Sequence, residues 1–330
     1  MIRFGVIGTN WITEKFIEAA RKTEGFLLTA VYSRTEAKAR AFADAWTIPH
    51  CFTDVERMAE SPEVDAVYIA SPNAFHARQA IACMNRGKHV LCEKPLASNA
   101  DEVRAMIEAA RRNGVVLMEA LKSTTVPQFQ AVREHLPKIG RVRRYAASYC
   151  KYSSRYDAYK QGTVLNAFNP ELSNGSLMDL GVYCIYPLAA LFGKPEQIMA
   201  GGILLDSGVD GQGSLILKYR DMEAVIMHSK ISNSDLPAEI QGEDGTMVID
   251  QINDPGHVHI RYRDGSVENI AAPDEISAMT YEVREFIGLL QQNRAESAMN
   301  SHAVSLIAMQ IMDEARKQMG LRFPADSAMH

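Results

Sequence analysis

The first 120 residues alternate short apolar, β-branched runs with amphipathic ones, and this restricts the fold more than any other feature. Residues 2–7, 27–32, 65–70, 89–92 and 115–118 read as strands buried on both faces. Residues 13–22, 36–46 and 74–86 read as the helices between them. Thr53-Asp54-Val55-Glu56 has the form of a capping box, in which the threonine hydroxyl serves a first-turn amide. Ser98-Asn99-Ala100-Asp101 is similar and opens a helix to about Asn113, stopped by Gly114. Regular βα alternation with short loops predicts an α/β, doubly wound parallel sheet.

Beyond residue 121 the pattern changes. Residues 142–151, 201–205, 213–219, 223–229, 238–242, 246–250 and 257–263 read as strands. Turn signals such as Arg220-Asp221 and Glu243-Asp244-Gly245 join several of them directly. A long helix at 176–191 interrupts the series, and 279–292 and 302–319 read as closing helices. The expectation is a Rossmann-like domain at 1–121, then an α+β domain at 122–330 with an open, mainly antiparallel sheet. Such a sheet needs its outer face covered, so a homo-oligomer, a dimer or tetramer, formed sheet to sheet is expected.

Apolar residues make up 47% of the 330-residue chain and charged residues 23%, the balance of a globular protein with room for two cores. Net charge is -5 with no basic stripe, which argues against nucleic acid and against a polybasic membrane patch. Five scattered cysteines at an odd count predict neither a disulfide framework nor a zinc site, and no metal is expected. Cys92 reads as a buried apolar residue ending a strand. The N-terminus enters a strand directly without a leader pattern, and no apolar run is expected to reach membrane-spanning length. A cytoplasmic location follows as the default.

Ligands of open α/β sheets sit at the carboxyl ends of the strands. Gly8-Thr9-Asn10-Trp11-Ile12-Thr13 is the turn after the first strand. It keeps only the first glycine of the G-x-G-x-x-G dinucleotide fingerprint, with Asn10 and Thr13 at the other two positions. Asn10 tolerates positive φ and leaves its amide available to a pyrophosphate. After the second strand, Ser33-Arg34 stands where an acidic residue would bind an unmodified ribose. A serine and an arginine suit a 2′-phosphate, which favours NADP while leaving NAD possible. The alternative is that Arg34 only begins a helix in solvent. Ser71-Pro72-Asn73 follows the third strand, with His76 either a cofactor contact or a helix-start histidine.

Glu93-Lys94-Pro95 follows the buried run at 89–92, so a proline-stiffened turn presents Lys94 to the same cleft. Asn174-Gly175-Ser176-Leu177-Met178-Asp179-Leu180-Gly181-Val182-Tyr183 opens the long helix and sets Asp179 and Tyr183 four apart, on one face. Hydride transfer to a carbonyl needs a proton donor at the developing alkoxide. Tyrosine ordinarily titrates near ~10 and serves only if a cation lowers it, as Lys94 is placed to do. Gly181 would give a ligand room to approach. Without the Glu-Lys-Pro turn, Asp179 would read as a helix-end carboxylate and Tyr183 as a half-buried core residue.

The Gly8 turn, Ser71-Pro72-Asn73, Glu93-Lys94-Pro95 and the Asp179-x-Gly181-x-Tyr183 helix, in that order, resemble the Gfo/Idh/MocA family. The resemblance spans nearly the whole chain, and Glu-Lys-Pro is its most specific motif. It implies NAD(P)-dependent oxidation or reduction of sugars, cyclitols and related alcohols. It assigns Lys94 as the active-site lysine and Asp179 as the aspartate of the helix motif. Tyr183, where inositol dehydrogenases carry histidine, is similar to the acid/base of the dihydrodiol and xylose dehydrogenase branch. Thr9, Trp11, Ile12 and Pro95 complete the expected cofactor set. Lys122 either binds substrate or solvates a domain junction. Two rivals remain: an NAD-dependent glycosidase that oxidises and re-reduces its sugar, and a non-catalytic dinucleotide sensor. The segment at 151–174, with Tyr152, Arg155, Tyr156, Asp157, Tyr159 and Asn166, offers polar and aromatic groups suited to a hydroxylated ligand.

Overall fold

The computed structural model describes residues 1–327. The chain opens with β1 (Ile2–Ile7), α1 (Trp11–Ala20), β2 (Phe26–Tyr32), α2 (Glu36–Trp46), β3 (His50–Phe52) and α3 (Val55–Glu60). It continues through β4 (Ala66–Ile69), α4 (His76–Met84), β5 (His89–Glu93), α5 (Ala100–Asn113) and β6 (Leu117–Ala120). The six strands form one parallel sheet in the order β3-β2-β1-β4-β5-β6, the doubly wound arrangement the alternation predicts. Ile7 lies opposite both Tyr32 and Ile69, Ile69 opposite Cys92, and Glu93 opposite Ala120. The turns leaving β1, β2, β4, β5 and β6 therefore emerge along one edge.

At two helix N-termini the capping residue lies one position beyond the sequence reading. Asp54, not Thr53, caps α3 by accepting from the amides of Glu56 and Arg57 at 2.8 and 3.1 Å. A carboxylate serves two orphan amides and also favours the positive helix end. Asn99, not Ser98, caps α5 by accepting from Glu102 N at 2.9 Å, and the Glu102 carboxylate reaches back to Ser98 N at 2.8 Å. Gly114 ends α5 in the left-handed conformation at φ 62°.

The second unit begins with α6 (Pro127–His135), β7 (Val142–Cys150) and α7 (Tyr156–Lys160). A π-helical turn at Leu177–Gly181 leads into α8 (Val182–Phe192). There follow β8 (Gln197–Leu204), β9 (Asp210–Lys218), β10 (Glu223–Ser229), β11 (Ala238–Gly242), β12 (Gly245–Ile249), β13 (Val258–Tyr262) and β14 (Val267–Ala271). The sheet order is β14-β13-β12-β11-β7-β10-β9-β8. Every neighbouring pair is antiparallel except β7 with β10, so the sheet is mainly antiparallel. Leu215 and Leu217 are buried while Ile216, Met199, Ile203 and Leu204 stand exposed, so one end of the sheet carries apolar side chains into solvent. The stretch Pro170–Phe192 is, contrary to expectation, long and apolar enough to cross a membrane by length and composition. Of its most apolar 18 residues, 72% are buried in the protein, as in a core helix.

The chain then returns to the first unit through α9 (Ala278–Gln291), and α10 (His302–Met319) follows. The compact units are Met1–Lys122 with Ile276–Ser305, and Ser123–Glu275 with Leu306 onward. The boundary thus differs from a single cut at 121. The reason is packing: Met279, Val283, Phe286 and Ile287 of α9 share a core with Phe4, Phe16 and Phe26. Phe4 lies 4.9 Å from Phe26 and 5.9 Å from Phe286 between ring centroids, and Phe16 stacks on Tyr68 at 3.7 Å. Each such buried ring contributes about 1.5–3 kcal/mol.

Candidate functional site

In the first unit the expected cofactor residues gather along the carboxyl edge of the parallel sheet. Gly8 has φ +108°, and a Cβ there would stand 2.8 Å from the Ala70 carbonyl oxygen, so the β1 turn admits only glycine. Asn10 does not use positive φ. It is extended at φ -109° and caps α1, accepting from Ile12 N at 3.0 Å and Thr13 N at 3.3 Å. Its Nδ2 donates to Ala70 O at 2.7 Å, which ties the turn to the end of β4. A cap residue needs extended backbone, and this outweighs asparagine's tolerance of the left-handed region. The turn fits a pyrophosphate: Gly8 keeps side-chain bulk off its floor, and the amides of Thr9, Asn10 and Trp11 lie outside the cap that occupies Ile12 and Thr13. Thr13 is buried where the fingerprint has its third glycine, and Trp11 is 63% exposed.

At the end of β2, Ser33 is buried and donates its amide to Phe52 O at 3.1 Å, while Arg34 is exposed just before α2. At the end of β4, the Ser71 hydroxyl donates to Gln79 Oε1 at 2.6 Å, and Pro72 leads into a short turn at Asn73–Phe75. His76 is fully buried, with Nδ1 3.0 Å from Pro95 O and Nε2 2.8 Å from Ser71 O. Its ring is occupied in joining two backbone segments, so it shapes the edge rather than reaching a ligand. Burial lowers its pKa despite the carbonyl partners.

The turn after β5 is held from both sides. The Glu93 carboxylate accepts from Tyr68 Oη at 2.6 Å and from Lys94 N at 3.2 Å. The Lys94–Pro95 peptide is cis, and Leu96 N donates to Glu119 Oε1 at 2.9 Å. Lys94 itself is half-buried at the edge. Behind it lie acids that sequence reasoning missed. Desolvation pushes the Glu119 carboxyl up to about 7, raises Glu93, and raises Glu282 of α9 well above the usual range. Neither carboxyl oxygen of Glu282 has a hydrogen-bond partner. Lys122, two residues past β6, acts electrostatically on both Glu93 and Glu282 and belongs to the first unit. No local signal marks Glu282, because its neighbours in space come from the other end of the chain.

In the second unit, Asp179 lies within the π-helical turn and Tyr183 in the first turn of α8. Such i→i+5 turns are uncommon and recur at functional sites. The buried Asp210 carboxylate accepts from Leu177 N at 2.7 Å and fixes the start of the turn; burial pushes it up to about 6. Asp179 Oδ2 pairs with Lys230 Nζ at 2.8 Å. Tyr183 meets Tyr149 of β7 edge to face at 5.6 Å. Gly181 gives no room to a ligand: a Cβ there would lie 2.9 Å from Leu177 Cδ1 and 3.3 Å from the His228 ring, so its smallness serves packing. Several groups of the 151–174 segment are engaged internally. Tyr152 Oη donates to Asp157 at 2.8 Å, Tyr159 Oη accepts from Ser207 N at 3.0 Å, and Tyr156 stacks near Tyr159 and Phe168. Arg155 and Asn166 are exposed. Among the described residues no group of three or more His, Cys, Asp and Glu could hold a metal ion.

A parallel sheet in this order, with a single-glycine turn at β1 and a lysine turn at β5, defines a dinucleotide-binding oxidoreductase. Residues 2–121 match the model of the "Oxidoreductase family, NAD-binding Rossmann fold", and residues 129–248 match the "GFO/IDH/MocA C-terminal domain". The chain belongs to the Gfo/Idh/MocA oxidoreductase family. It is 61% identical to the scyllo-inositol 2-dehydrogenase (NADP(+)) of Bacillus subtilis (strain 168), over 99% of this chain and 100% of that one. It is 33% identical to the trans-1,2-dihydrobenzene-1,2-diol dehydrogenase of Danio rerio, over 99% of each. A 3-ketoreductase from Actinomadura kijaniata, solved with NADP and TDP-benzene, is 25% identical with a TM-score of 0.84, covering 96% of this chain and 98% of that one. A levoglucosan dehydrogenase solved with NADH and levoglucosan shares the fold with a TM-score of 0.85 at 18% identity, over 97% of each chain.

Proposed function

We propose that this protein is an NADP-dependent dehydrogenase or reductase acting on a secondary hydroxyl or ketone of a polyol or sugar ring, with an inositol as its leading substrate. One observation carries the reading: the Gly8 turn, Ser33-Arg34, Ser71-Pro72-Asn73 and Glu93-Lys94-Pro95 share one edge of the parallel sheet. The inositol assignment is supported by likeness to an enzyme named for scyllo-inositol and NADP(+).

In this reading Gly8, Thr9, Asn10, Trp11 and Ile12 receive the pyrophosphate, Ser33 and Arg34 the 2′-phosphate, and Ser71, Pro72 and Asn73 the nicotinamide half. Bound NADP supplies the hydride acceptor for oxidation, and its reduced form the donor for reduction. The residues handle the proton and the substrate oxygen. Tyr183 takes the hydroxyl proton as the carbon loses hydride, leaving a ketone, and returns it in reduction. Lys94 supplies positive charge that favours phenolate and alkoxide. The Glu93 carboxylate, bonded to Tyr68 and to the Lys94 amide, fixes the turn that carries that charge. Asp179 accepts hydrogen bonds from substrate hydroxyls and orients the ring. A homo-oligomer through the open sheet accords with exposed Met199, Ile203 and Ile216, and a cytoplasmic location belongs to the same proposal.

The experiment is a screen of inositols, aldoses and their ketone forms with NADP(+) or NADPH, following reduced nicotinamide by absorbance. Turnover of a cyclitol with NADP(+), at higher kcat/KM than with NAD(+), is expected. Release of an aglycone with no net change in NADPH would point to the glycosidase chemistry instead. Cofactor binding without turnover of any polyol or sugar would contradict the assignment.

A further inference from the structure

Lys230 follows β10 and is 3% exposed, yet it carries an ammonium group. A lysine this buried is rare unless its charge is matched. Three oxygens meet its Nζ: Asp179 Oδ2 at 2.8 Å, Ala167 O at 3.1 Å and Asn174 Oδ1 at 3.3 Å. The Phe168 ring lies 5.5 Å away. The ammonium thus spans three segments: the loop at Ala167–Phe168, Asn174 three residues ahead of the π-helical turn, and Asp179 within it. The Asp179 side chain is 36% exposed, so one end of the pair is buried and the other reaches solvent. A surface carboxylate would gain little from an exposed partner, but this one is held by a cation with no freedom to swing away. Its backbone is fixed independently, through Asp210 and the Leu177 amide.

We propose that Lys230 is a positioning residue for substrate recognition. It holds the Asp179 carboxylate in one orientation, so that Asp179 accepts hydrogen bonds from ring hydroxyls of the polyol. The same ammonium secures the loop at 166–174, so ligand orientation and loop order depend on one side chain. This rests on the reading of Asp179 as a substrate-binding group in the proposed dehydrogenase.

The test is a double-mutant cycle in the full chain, with scyllo-inositol and NADP(+) as the probes. Lys230→Met keeps the aliphatic stem and removes the ammonium; Asp179→Asn keeps the shape and removes the charge. Each single change is expected to lower kcat/KM roughly 100-fold, the scale of a misplaced binding group, with KM for the polyol rising and NADPH affinity unchanged. The double variant is expected to lose clearly less than the product of the two single losses, since both changes remove the Lys230–Asp179 interaction. Lys230→Cys alkylated with 2-bromoethylamine, which restores an amine at nearly the same reach, is expected to recover most of the loss.

Wild-type-like kinetics in Lys230→Met would overturn the inference, and so would losses that multiply in the double variant. A purely structural lysine would lower the amount of folded enzyme without raising KM, and that result also overturns it. If Lys230→Met is insoluble, Lys230→Gln takes its place in the cycle; insolubility of both variants assigns the residue to folding and rejects the proposal. The two readings separate cleanly. Inactive wild type, or an Asp179→Asn variant equal to wild type, rejects the functional reading and this inference with it. An impaired Asp179→Asn beside an unimpaired Lys230→Met rejects this inference alone.

Discussion

Arg34 stands just ahead of α2, where the helix dipole disfavours a cation. An anion bound beside it reverses that penalty, which is the electrostatic case for a 2′-phosphate at this point. Arg34→Ala is therefore expected to weaken NADPH about 10-fold or more, as loss of a hydrogen bond to a charged group implies, while NADH is unaffected. Titration followed by tryptophan fluorescence reads this, since Trp11 lies exposed in the β1 turn. Equal effects on both cofactors would remove Arg34 from the phosphate site. Gly8→Ala is expected to abolish tight binding of either cofactor, because its Cβ would press on the Ala70 carbonyl at positive φ. Gly8, Lys94, Asp179 and Tyr183 stand out in the sequence as candidates because each sits in a motif at a strand or helix end. Lys230 and Glu282 do not, since a single charged residue in an ordinary run reveals neither its burial nor its partner.

At the scale of elements, local chemistry identified α2 and α10 to the residue and five of the six strands of the first sheet within one or two positions. It misplaced caps by one residue where two polar side chains stand side by side, as at Thr53-Asp54 and Ser98-Asn99. Four elements escaped it, among them α7, which lies inside the segment read only as 151–174. β3 has only three residues, β14 follows a turn that resembles loop, and α6 begins at a proline. The π-helical turn has no signature in sequence, because its extra residue per turn is imposed by packing against β10 and by the Asp210 contact. Asn10 is the test case for a cap that also shapes a ligand turn. Asn10→Ala is expected to cost about 1 kcal/mol through the lost cap, seen as a lower melting temperature. An unchanged melting temperature would mean that water satisfies the Ile12 and Thr13 amides equally well.

For the whole molecule, the return of α9 into the first core decides an unusual pH response. Glu119 and Glu282 both titrate above the ordinary 4.5 of a glutamate when folded. Between their unfolded and folded pKa values the native state binds more protons, so the stability they contribute is present below about 4.5 and is lost as pH rises through about 7 for Glu119. Glu282→Gln removes one such proton uptake. Its melting temperature relative to wild type is expected to rise as pH climbs above about 4.5, and a difference independent of pH would show Glu282 ionised in the folded protein. The sequence order could not disclose this cluster, because α9 is separated from β5 by the entire second sheet.

The central claim is that Lys94 and Tyr183 serve one chemical step, and single-turnover kinetics tests it most directly. Wild type, Lys94→Ala and Tyr183→Phe would each be loaded with NADP(+) and mixed with scyllo-inositol, with reduced nicotinamide followed in time. Both variants are expected to bind NADPH normally yet to form reduced cofactor roughly 100-fold to 10,000-fold more slowly than wild type, the range of general acid–base catalysis. Near-normal rates in either variant, with cofactor affinity intact, would contradict the account.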